Sequence, residues 1–146
     1  MSDVENKVFE DEFMAVQSEL ISLVLEATKA TVDKIFAYCS IEKHSKMFNV
    51  FFEVDGEIKT LNLLGLDSAY TMQLLKIGTN DLDKIKEVCS RYNQPTPTEI
   101  KMFYDVKSGK YNAQYQYAEI CSAKTKVSSG QVFMAWITEE KKKRTV

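Results

Sequence analysis

Thr98–Tyr117, TEIKMFYDVKSGKYNAQYQY, is the stretch whose reading decides the fold. Ile100, Met102, Tyr104 and Val106 alternate with Glu99, Lys101, Phe103 and Asp105. Beyond Ser108-Gly109, Tyr111, Ala113, Tyr115 and Tyr117 alternate with Asn112, Gln114 and Gln116. Successive side chains on a strand point to opposite faces, so this period of two predicts a half-buried β-hairpin. A sheet with one apolar face needs a covering layer, which directs attention to the segments on either side.

Upstream, Asp11–Thr31 changes period. Phe13, Val16, Leu20, Leu23, Val24 and Ala27 form a broad apolar stripe, and Glu19, Ser22, Glu26 and Lys29 recur opposite it. That pattern predicts a helix packed on a sheet. Three strands are expected next: Lys34–Ser40, Met47–Val54 and Glu57–Leu63. The dipeptide Asp55-Gly56 between the last two favours a two-residue turn with positive φ at both positions. Such a turn sets Val54 opposite Glu57, Phe52 opposite Lys59, Val50 opposite Leu61 and Phe48 opposite Leu63. Phe48, Val50, Phe52, Leu61 and Leu63 then form the core side. Asn49, Phe51, Glu53, Ile58 and Thr60 form a mixed outer face with two exposed apolar residues, a candidate contact surface.

Residues 65–78 read as either a short helix or an irregular connection, with glycines as punctuation. A helix is expected from Asn80, capped by that residue, with Asp81 and Asp83 at the positive end of its dipole. It should stop before Pro95. Ala118–Val127 reads as loop, and Ser128 or Ser129 can cap a last helix presenting Val132, Phe133, Trp136 and Ile137 on one face. The order α-β-β-β-α-β-β-α predicts the α+β class, one antiparallel sheet with helices packed against it. One domain over residues 1–146 is expected, with 1–9 and 141–146 as disordered tails.

Composition narrows the functional classes. The chain has 146 residues, 45% hydrophobic and 27% charged, ordinary values for a globular domain. Its three cysteines, Cys39, Cys89 and Cys121, are dispersed, which predicts reduced thiols in an intracellular protein. No signal-peptide pattern and no apolar run of membrane-spanning length is present. Lys141, Lys142, Lys143 and Arg144 carry four positive charges, so the rest of the chain carries −6 against a total of −2. An acidic body argues against nucleic acid as the primary partner and suits a basic protein.

Catalytic patterns are missing. His44, the one histidine, has no nucleophile partner at recognisable spacing. One histidine and scattered cysteines make no zinc motif, and the single glycines make no phosphate loop. Asp81 and Asp83 are accounted for by the helix start. No cofactor and no catalytic residue is therefore assigned, and the chain is expected not to be an enzyme. Tyr111, Tyr115 and Tyr117 could stack bases in a single-stranded nucleic-acid binder, the alternative function, although core packing explains them more simply.

Pro97-Thr98, Gly109-Lys110-Tyr111 and Tyr115-Gln116-Tyr117 resemble the C-terminal signature of the YezG-like antitoxin (immunity protein) family. The segments KIFAYCS and FNVFFEV resemble its first strands, and Trp136 matches a tryptophan of its last helix. The resemblance spans residues 10–140 in element order and is dense over 95–120. It implies a cytoplasmic bacterial immunity protein that occludes a cognate toxin, a basic nuclease domain, one to one. On that reading Asn49, Phe51, Glu53 and Asp55 are the candidate partner-binding residues.

Overall fold

The hairpin alternation is satisfied in three dimensions by helices on both sides of one sheet. In a computed structural model describing residues 2–144, five strands pair antiparallel in the order β3-β2-β1-β4-β5. They are β1 (Lys34–Ile41), β2 (Lys46–Val54), β3 (Glu57–Thr60), β4 (Glu99–Asp105) and β5 (Tyr111–Gln116). Three helices surround them: α1 (Asp3–Thr28), α2 (Ser68–Arg91) and α3 (Ser129–Arg144). The class is α+β, in the element order read from the sequence. No described helix is long and apolar enough to cross a membrane.

β1 is central, and seven of its eight residues are buried. Alternate side chains serve two separate cores. Ile35, Ala37, Cys39 and Ile41 join Phe48, Val50, Phe52, Ile100 and Met102 beneath α1 and α2. Phe36 and Tyr38 turn the other way, joining Phe51, Ile58, Phe133, Trp136 and Ile137 beneath α3. The hairpin pairs Ile100 with Tyr115, Met102 with Ala113 and Tyr104 with Tyr111. At the Asp55-Gly56 turn both residues have positive φ, 51° and 80°. The pairs Val54–Glu57 and Phe52–Lys59 follow.

The larger differences from the sequence reading lie at four boundaries. β3 stops at Thr60 and Leu61–Leu64 forms a 3-10 turn. Val50–Leu61 and Phe48–Leu63 therefore do not pair. Leu61 stays buried, whereas Leu63 is 61% exposed and leaves the core side. The strand edge left open on β2 is closed by side chains: Val50 N–H donates to Asn49 Oδ1 (2.8 Å) and Phe48 N–H to Thr79 Oγ1 (3.3 Å). The ambiguous stretch before Asn80 is helix from Ser68, capped by Asp67, whose carboxylate accepts the Tyr70 N–H at 3.1 Å. Asn80 is thus an interior helix residue. Asp3–Phe9, expected as a frayed tail, are the first turns of α1, capped by the Ser2 hydroxyl. Lys141–Arg144 close α3, and the remaining tail residues Met1, Thr145 and Val146 lie outside the described residues.

Candidate interaction surfaces

The face expected to meet a partner is covered by α3. Phe51 has no solvent exposure and stacks on Phe36 with ring centroids 4.6 Å apart and planes 1° from parallel. Trp136 stands edge-on to it at 4.9 Å, and Ile58 is 8% exposed. Glu53 is half-buried and accepts from Arg144 Nε at 2.7 Å, with Lys34 at 3.7 Å. Asn49 is half-buried too, and its side-chain oxygen accepts the Val50 N–H. Of the four residues only Asp55 is exposed, and its N–H donates to Asp33 Oδ2 at 2.7 Å. The cause is the apolar stripe of α3. Phe133, Trp136 and Ile137 must leave water, and the apolar area on that side of the sheet is Phe36, Tyr38, Phe51 and Ile58.

Charge holds this helix at its far end. Glu140, 5% exposed, accepts from Lys143 Nζ at 2.8 Å and Arg144 at 3.1 Å. Burial alone would raise the Glu140 carboxyl, but the two cations outweigh it and hold it below the ordinary value of 4.5. A carboxyl depressed in the folded state adds stability above its unfolded pKa and loses it as pH falls through the folded value. Acidification below pH 4.5 is therefore expected to loosen the last turn of α3 before the sheet unfolds. Hydrogen exchange of residues 138–144 across that range reads it. Glu140→Gln should flatten the response.

The tyrosines of β5 point into the α1 side. Tyr111 and Tyr115 hydroxyls both donate to Gln17 Oε1 of α1, the latter at 3.1 Å. Phe13 lies 5.5 Å from the Tyr115 ring. Burial pushes both phenols up. These two half-buried rings pack against α1; of the three tyrosines only Tyr117 is exposed, at 53%.

Polar residues singled out by motif serve structure. Asp83 pairs with Lys46 at 2.7 Å and Asp81 with Lys84 at 3.5 Å, both from mid-helix rather than from a helix start. The Lys46 hydrogen bond holds the Asp83 carboxyl below its usual range. Glu42, 6% exposed, accepts the Ile120 and Cys121 N–H groups at 3.1 and 2.6 Å and so fixes the 118–127 connection. Buried Tyr38 donates to Glu99 at 2.8 Å. The three cysteines are buried and free of disulfides, and burial pushes their thiols up. His44 is exposed. Among the described residues no group of three or more His, Cys, Asp or Glu could hold a metal ion.

One surface went unread in the sequence. α1 carries Asp3, Glu5, Glu10, Asp11, Glu12, Glu19 and Glu26 against Lys7, a net −6. Since the whole chain is −2, everything outside α1 sums to +4. Among the described residues, only Glu12 and Glu19 of these carboxylates form ion pairs, with Arg91 and Lys84. Asp3, Glu5, Glu10, Asp11 and Glu26 are exposed, as are Val4 at 73% and Val8 at 42%. The signal was available: seven carboxylates in one helical segment, diluted when charge was averaged over the chain.

The architecture defines the chain as an α+β protein with a five-stranded antiparallel sheet between two helical layers. Neither a protein-family model nor a curated protein matches this sequence.

Proposed function

We propose that the protein is an immunity protein that binds a secreted nuclease-type toxin with a basic active-site face and neutralises it by covering that face one to one. The observation that supports this is the charge of α1, a helix holding −6 on a chain of −2 with five of its carboxylates exposed and unpaired among the described residues. A nuclease must gather cations around a polyanionic substrate, and an acidic helix competes for those same cations. The field also steers encounter, raising the association rate in low salt. The likeness of Gly109-Lys110-Tyr111 and its flanking tyrosines to YezG-like antitoxins points the same way. On this reading the protein acts in the cytoplasm, by binding and without turnover.

The test is co-expression with a nuclease toxin domain sought among the neighbouring genes. Cells should survive, and the purified pair should inhibit nuclease activity at equimolar ratio. Neutralising Asp3, Glu5, Glu10 and Asp11 together should slow association about tenfold or more and weaken its salt dependence. Toxin killing that proceeds unchanged in the presence of the wild-type protein would sink the reading.

A further inference from the structure

α3 covers only part of its side of the sheet. Its buried residues lie over β1, β2 and β3, on Phe36, Tyr38, Phe51 and Ile58. On the same side Phe103 and Lys101 of β4 still reach Trp136, but β5 leaves a polar strip outside the helix, with Asn112, Gln114 and Gln116 exposed. At the step between the end of α3 and this open strip lies a cleft of about 460 Å³. That volume falls within the range of small-ligand sites.

The cleft has an aromatic floor and a cationic rim. Phe36 and Phe103 form the floor, with Phe103 half-buried and edge-on to Trp136 at 5.5 Å. Lys34, Lys110, Lys143 and Arg144 stand against two carboxylates, Asp105 and Glu140. Two of the cations are committed. Arg144 is held by Glu53 and Glu140 with its guanidinium 5.6 Å from the Phe36 ring, and Lys143 is held by Glu140. Lys34 is held more loosely: its ammonium pairs with Glu53 at 3.7 Å, longer than the 2.7 Å of Arg144 to the same carboxylate, and its side chain is 45% exposed. Lys110 is exposed and forms no ion pair among the described residues. Asn112 lends its Oδ1 to the Ala113 N–H at 2.9 Å, which leaves its amide N–H₂ turned to other partners.

One unpaired ammonium, Lys110, and one loosely paired ammonium, Lys34, beside an aromatic ring and an amide donor match an anion joined to a flat heterocycle. We propose that this cleft binds a phosphorylated nucleoside, with its base against Phe103 and its phosphate between Lys34 and Lys110. The ligand could be a free nucleotide or the terminal nucleotide of a single strand, whose following residues would run along Gln114 and Gln116. The cleft lies on the opposite side of the sheet from α1, so this site stands apart from toxin binding.

Backbone-amide NMR of the full chain tests it, with adenosine monophosphate, inorganic phosphate and a short single-stranded RNA titrated separately. The expected result is saturable shifts at Lys34, Phe103, Lys110 and Asn112 with the nucleotide, weakened by salt and not matched by inorganic phosphate. Lys34→Ala with Lys110→Ala should weaken binding about tenfold or more while Trp136 fluorescence stays native. Equal affinity for nucleotide and RNA assigns a free nucleotide; shifts with RNA alone assign a strand end. Absence of saturable shifts with both, equal shifts with inorganic phosphate, or undiminished binding in the double variant would overturn the proposal. Neutralising the α1 carboxylates should leave these shifts in place.

Discussion

Trp136→Ala is expected to cost about 3–5 kcal/mol, the range for deleting a large buried aromatic. The side chain is 3% exposed and is the hub of the smaller core. Phe51, Phe103, Phe36 and Tyr38 all lie within 6.1 Å of it, centroid to centroid, and Lys101 Nζ sits 5.2 Å from its ring. Aromatic pairs of this edge-on kind add to simple area burial. The loss should also be local before it is global. α3 is the cover over Phe51 and Ile58, whereas the larger core beneath α1 and α2 does not include Trp136. Hydrogen exchange should therefore show amides 129–144 unprotected while those of β1 stay protected, and urea unfolding by far-UV circular dichroism should give the cost. An even loss of protection across both cores would mean that the two layers are one cooperative unit.

Gly78→Ala should destabilise the protein by about 1–3 kcal/mol, as overpacking does, although in a free helix it would help by about 1 kcal/mol. Gly78 is buried in the middle of α2, directly over Phe48. A Cβ built there would lie 2.8 Å from the Phe48 Cγ, with Cδ2 and Cε2 nearer still. The ring has nowhere to retreat, because Phe48 is 1% exposed between β2 and the helix. Phe48→Leu should recover part of the loss, and the four-variant cycle measured by thermal unfolding isolates that coupling. Additive effects of the two substitutions would refute the close approach.

Gly78 also explains why α2 was only half legible. Local propensity reads an interior glycine as a break, and Asn80-Asp81 beside it resembles a helix start. The glycine is there because a helix must come unusually close to Phe48. Nothing within twenty residues of it along the chain carries that information. α3 shows the complementary case. Its stripe Val132, Phe133, Trp136, Ile137 was visible, but the surface it would seek was not.

β1 held the missing clue. In KIFAYCSI, Phe36 and Tyr38 alternate with Ile35, Ala37 and Cys39, so both faces of this strand are apolar. A strand apolar on both faces needs cover on both. Read together with Phe51 and Ile58, it marks the mixed face as a second core rather than an open contact surface. Glu53 and Asn49 then become the polar border of that core, one paired with Arg144 and the other closing a bare strand edge.

By itself the sequence determined the element order, the Asp55-Gly56 turn with its nearest pairs Val54–Glu57 and Phe52–Lys59, and the inward side of β4 and β5. These follow from period, turn chemistry and propensity, all of which act between near neighbours. Only the tertiary structure decided that α3 covers Phe51, that Leu63 leaves the sheet, that α2 runs through Gly78, and that α1 presents its carboxylates away from both cores. Alternation states that the two faces of a strand differ. Which face meets water depends on whichever distant helix gains most by leaving it.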